Sequence, residues 1–223
     1  MSGSFSDLLY PMLSQQDTSR TALVAALEPA GLEKAEEAVR LREKVLAEQA
    51  GSIAACGAEM ARRFAAGGKL LSFGNGGSAT AAADIVADFM TPPPGQRPLP
   101  AIAFTNDVAT VTAVANDVSF ADVFLRQLIA FGKPNDMAMA WSSSGNSENL
   151  VRAFETARKR GILMIGLAGY DGGRMKKEAT ADYLFVVPST SIHRIQEVQS
   201  LIAHCLRCAV DVELSDRVSS NGG

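Results

Sequence analysis

Five short apolar runs recur down this chain with helical patterns between them: Leu70 to Phe73, Ala101 to Phe104, Met137 to Trp141, Leu163 to Leu167 and Tyr183 to Val187. Near-continuous apolar strands belong to a sheet covered on both faces, and parallel strands need helical crossovers between them. The pattern predicts an α/β fold, a five-stranded parallel sheet sandwiched by helices. Apolar residues fall at helical spacing from Leu32 to Ala66, where Gly67-Gly68 stops them, and again from Val198 to Leu214. These predict long helices at both ends. A length of 223 residues, 47% hydrophobic and 20% charged, suits one large domain. The expected division is an arm or short helix over 1–30, the α/β domain over 31–215, and a disordered tail over 216–223, where serine and glycine accumulate.

Charge dictates no partner. Lysine and arginine number 21 against 24 acids, a net charge of −3, and no basic run suggests a nucleic-acid face. Residues 1–7 have neither a basic start nor an apolar core, and no apolar stretch reaches membrane-spanning length. The reading is a soluble, cytoplasmic protein. Cys56, Cys205 and Cys208 are an odd number of cysteines, as expected of reduced thiols. Cys205-Leu206-Arg207-Cys208 lies inside a helical pattern with no second cysteine pair, which argues against a zinc or redox role.

Two serine-glycine loops each follow an apolar run and open a helical pattern. The first is Gly74-Asn75-Gly76-Gly77-Ser78, the second Ser142-Ser143-Ser144-Gly145-Asn146-Ser147. Glycine lets backbone approach a ligand, serine offers hydroxyl donors, and a helix start presents free N–H groups to negative charge. A phosphorylated small molecule is the expected ligand. In an open parallel sheet, ligands bind beyond the carboxyl ends of the strands where strand order reverses, so both loops can face one pocket.

Taken with Ala115-Asn116-Asp117, the run Leu167 to Gly173 and Arg194-Ile195-Gln196-Glu197, the two loops resemble, in order and spacing, the phosphoheptose isomerase family of the sugar isomerase (SIS) fold. The match runs from about Leu46 to Val212. The resemblance implies a single SIS domain, flavodoxin-like and three-layered, assembled as a homotetramer with active sites shared between subunits. It also implies conversion of sedoheptulose 7-phosphate to a heptose 7-phosphate. Carried over residue by residue, the phosphate binders are Ser142, Ser143, Ser144 and Ser147. Asn75, Gly76, Gly77, Ser78, Asn116, Asp117 and Gln196 complete the substrate contacts.

Aldose-ketose interchange moves a proton between neighbouring carbons through an enediol, and so needs a base at carbon and an acid or metal at the oxygens. The family's glutamate base and late histidine fall on Asp88 and His204. Family enzymes commonly bind zinc through that pair, a glutamine and a histidine four residues before the glutamate. The corresponding set here is Asp84, Asp88, Gln196 and His204, and His193 replaces another family aspartate. Asp84 and Asp88 share a helix face at a spacing of four, and their apolar neighbours predict a mostly buried helix, in which an unpaired carboxylate is costly. Oxygen-rich ligands would hold zinc less tightly and make magnesium or manganese conceivable. Without the resemblance, His204 among Leu201, Ile202, Ala203 and Leu206 reads as a core histidine, and His193 reads as a rim residue. Two functions follow: an isomerase using Asp88 and His204, or a non-catalytic tetramer that binds a sugar phosphate or a protein partner, like relatives that associate with replication initiators.

Overall fold

The computed structural model describes residues 20–178 and 180–220. The chain divides after Leu41 into two units. In the first, the described residues are helical and belong to α1 (Arg20–Ala65), with Glu36 and Arg40 paired one turn apart at 3.4 Å. Helix thus begins well before residue 31, where an arm or short helix was expected. Leu23 to Glu28 are mostly good helix formers, and Pro29 removes one backbone donor without ending a helix of this length. Residues 1–19 of the expected arm lie outside the described residues.

The second unit, from Arg42, carries the sheet. After α1 come β1 (Leu70–Gly74), α2 (Gly77–Met90), β2 (Ala101–Ala103), α3 (Val108–Asp117), a 3-10 turn, α4 (Val123–Phe131) and β3 (Met137–Trp141). Then follow α5 (Glu148–Lys159), β4 (Leu163–Gly169), α6 (Gly173–Lys177), β5 (Tyr183–Val187) and α7 (Ile192–Ser220). Every strand pairs in parallel, in the order β2-β1-β3-β4-β5. Each expected apolar run has become a strand. β1, β3 and β4 are buried at every position, as strands with helices on both faces must be. Phe73 stacks on Phe104 and Phe124 and meets Phe154 edge-on, so one ring joins β1 to three neighbouring elements.

α7 starts six residues before the expected Val198 and continues to Ser220, through most of the expected tail. Serine costs a helix only a few tenths of a kcal/mol, and the breaking glycines of this stretch are only at 222 and 223, outside the described residues. Among the described residues no helix is long and apolar enough to cross a membrane.

The amino end of the sheet is closed by Asp136. This carboxylate, 2% exposed, accepts from the backbone N–H groups of Lys69 (3.0 Å) and Lys133 (2.8 Å) and from Lys69 Nζ (2.6 Å). Arg63 at the end of α1 donates to the carbonyls of Pro134, Asp136 and Gly161. These contacts lie at the opposite end of the strands from the two serine-glycine loops.

Candidate functional site

Strand order reverses between β1 and β3, and the two loops leave the carboxyl ends of those two strands. Gly74 pairs with Trp141 in register, so the loops start side by side. Trp141 Nε1 donates to Ser72 Oγ at 3.0 Å just beneath them. A reciprocal amide pair then ties one loop to the other. Asn75 Nδ2 donates to Asn149 Oδ1 at 3.0 Å, and Asn149 Nδ2 donates to Asn75 Oδ1 at 2.9 Å. Asn149, 2% exposed, is a residue that loop composition did not reveal, because it lies inside α5 rather than in a loop.

The second loop is organised to leave donors over. Ser142 Oγ accepts the Gly145 N–H (2.9 Å) and Ser144 Oγ the Asn146 N–H (3.2 Å), so each hydroxyl keeps its own proton to give. Ser147 caps α5 by position but makes no side-chain cap bond, so its hydroxyl is uncommitted. The N–H groups of Glu148 and Asn149 in the first turn have no partner within the helix. Hydroxyls and N–H groups at a helix start form a cradle for an anion. Within it Ser142 is 4% exposed, while Ser143, Ser144 and Ser147 are half-buried; Ser78 of the first loop is likewise 4% exposed.

α6 supports this cradle from outside. Met175 N–H donates to Gly145 O at 3.0 Å, and Arg174 N–H donates to Asn146 Oδ1 at 3.0 Å. Gly145 has φ +68°, and a Cβ there would lie 2.2 Å from Gly172 O, so only glycine fits. α7 supports it from the other side. Gln199, fully buried, donates Nε2 to Ser142 O at 2.8 Å. Gln196 lies against the first loop, where a Cβ on Gly77 would sit 2.7 Å from Gln196 Nε2. Neither Gln199 nor the buttressing by α6 was foreseen from the sequence.

Further along α2 and α7 the acid-base candidates meet. His204 Nδ1 lies 2.9 Å from Asp88 Oδ2, with the side chains 60% and 42% exposed. Asp84, Trp141, Ser200 and His204 help line a cleft of about 130 Å³ between the two helices. The exposure of His204 rules out the core-histidine reading in this chain. It also removes the burial argument for the carboxylates: Asp84 is exposed, and the apolar neighbours Ala82, Ile85 and Val86 occupy the opposite, buried face of α2. One turn on, buried Arg207 stacks over Phe89 at 4.8 Å and pairs with Asp211 at 3.0 Å. Desolvation lowers the pKa of Arg207 and raises that of Asp211.

Asn116 and Asp117 lie on a separate helix from the two loops. They end α3, exposed, with Asn116 Nδ2 donating to Asp117 Oδ1 at 2.7 Å. His193 is exposed on the first turn of α7. Cys56 is buried, Cys205 half-buried and Cys208 exposed, all as free thiols. Among the described residues no three His, Cys, Asp or Glu side chains stand close enough to hold one metal ion. Asp88 meets His204 at 2.9 Å and Asp84 lines the same cleft as His204, while Gln196 lies against Gly77 of the first loop.

Residues 35–169 match the SIS domain family. The chain is 40% identical over 172 residues to the phosphoheptose isomerase of Thermodesulfovibrio yellowstonii, covering 77% of this chain and 85% of the relative. It is 38% identical over 188 residues to that of Nitratidesulfovibrio vulgaris, covering 84% and 89%. The fold superposes on a phosphoheptose isomerase from Francisella tularensis with TM-score 0.71 at 34% identity, over 81% of this chain and 98% of the other. For a phosphoheptose isomerase from Neisseria gonorrhoeae the TM-score is 0.76 at 31% identity, over 83% and 99%.

Proposed function

The chain belongs to the phosphoheptose isomerase family of SIS-domain proteins, and from that premise we infer that it is an aldose-ketose isomerase acting on sedoheptulose 7-phosphate. The observation that carries the reading is the Asn75–Asn149 amide pair, which locks both serine-glycine loops at the reversal of strand order, in a fold whose α2–α7 seam holds Asp88 against His204. Retention of that carboxylate and imidazole favours the enzyme over the non-catalytic alternative.

In this reading the phosphate oxygens accept from the hydroxyls of Ser142, Ser143, Ser144 and Ser147 and from the first N–H groups of α5. Asn75, Gly76, Gly77, Ser78 and Gln196 hold the sugar. The Asp88–His204 contact uses Oδ2 and Nδ1, leaving Oδ1 and Nε2 for substrate. Asp88 takes a proton from C1 of the ketose while His204 gives one to the oxygen on C2, forming the enediol. His204 then takes the proton of the C1 hydroxyl and Asp88 returns its own to C2, leaving the aldehyde. Both groups end as they began. A divalent ion would fall to Asp84, Asp88, Gln196 and His204 after side-chain movement, and no step above runs through one.

The assembly consistent with this reading is a homotetramer in the cytoplasm. Large apolar side chains stand exposed on the single chain, including Leu27, Leu32 and Val39 of α1 and Val212 of α7. Steady-state kinetics test the phosphate assignment. Ser144→Ala combined with Ser147→Ala removes two hydroxyl donors to a charged group and raises KM for sedoheptulose 7-phosphate by about tenfold or more. An unchanged KM would refute the cradle.

A further inference from the structure

We propose that Arg174 is a positioning residue for the phosphate site: its pairing with Glu148 neutralises a carboxylate that would otherwise oppose the substrate phosphate at the start of α5. The inference rests on the phosphate-cradle reading of the second loop. Glu148 is the first residue of α5, directly after Ser147. A carboxylate there suits an empty helix, because it faces the positive end of the helix dipole. It opposes a phosphate at the same N–H groups, since two anions then share one electropositive end.

Arg174 is placed to resolve that competition. Its Nη1 pairs with Glu148 Oε2, and its Nε donates to Glu178 Oε1 at 2.7 Å, which fixes the guanidinium. Its backbone N–H donates to Asn146 Oδ1 at 3.0 Å, and Asn146 Nδ2 donates to Ser144 O at 3.1 Å. One residue therefore grips the loop through its main chain and turns the helix-start carboxylate towards α6 through its side chain. The Met175 N–H bond to Gly145 O at 3.0 Å keeps α6 on the loop. The Arg174 and Glu148 side chains are 37% and 55% exposed, so the pair contributes little to stability, and its effect falls on an incoming anion.

The test is titration with inorganic phosphate, together with kinetics on sedoheptulose 7-phosphate, using the full chain. Arg174→Ala raises the Kd for phosphate and the KM about five- to tenfold with kcat within about twofold, and the loss shrinks at high salt. Arg174→Lys keeps the charge and most of the affinity. In Arg174→Ala/Glu148→Ala both constants return to the wild-type range, because the opposing carboxylate is gone. That rescue distinguishes charge from structure, since a collapsed loop is not repaired by deleting Glu148. Wild-type affinity in Arg174→Ala, or a double variant as weak as the single one, overturns the proposal. Failure of the wild type to bind phosphate overturns the cradle reading itself, and the proposal with it.

Discussion

Asp88 and His204 each come from a helix whose buried face lies elsewhere, so their contact is set by the packing of α2 on α7 rather than by any loop. Aspartate is one methylene shorter than the family's glutamate, and the 2.9 Å approach to His204 Nδ1 orients it without that methylene. Removing either group takes away proton transfer and leaves the anion cradle intact. Asp88→Asn and His204→Ala are each expected to lower turnover roughly a hundredfold or more, with phosphate affinity measured by titration nearly unchanged. Comparable losses of phosphate binding in these variants would place the two residues in the cradle instead. Both residues were identified by resemblance, whereas the serines stood out first by the composition of their loop. Asn149 and Gln199 were not, since a buried amide inside a helix carries no signal in sequence until its partner, Asn75 or the Ser142 carbonyl, is known to lie opposite.

The strands were readable because burial on both faces leaves an unbroken apolar run: Met137 to Trp141 is strand from end to end. Helix ends were less so. α7 reaches back to Ile192 through polar His193, Arg194 and Gln196, which hide the period that starts plainly at Val198. The two ends of the strands have separate duties. At the amino end, Asp136 satisfies two backbone N–H groups and the Lys69 ammonium. Asp136→Ala leaves all three without that partner and is expected to cost about 2–4 kcal/mol in denaturant unfolding, with no change in phosphate affinity. A loss of phosphate binding in proportion to the lost stability would contradict that division of labour.

For the molecule as a whole, the exposed apolar side chains on α1 and α7 call for a covering surface, and a tetramer in sedimentation velocity at micromolar concentration is the expected outcome. A monomer with full activity would contradict shared sites. The α/β layering follows from the order of apolar runs, whereas the site depends on contacts between elements far apart in sequence, such as Asn75 with Asn149 and Asp88 with His204. Asp84 adds an oxygen donor to the cleft beside His204, so the decisive assay includes divalent ions. Purified protein is incubated with sedoheptulose 7-phosphate, with and without added divalent ions, and the product is followed as aldose phosphate. The wild type is expected to form aldose phosphate and Asp88→Asn to form about a hundredfold less. No aldose phosphate from the wild type under any of these conditions would contradict the isomerase reading.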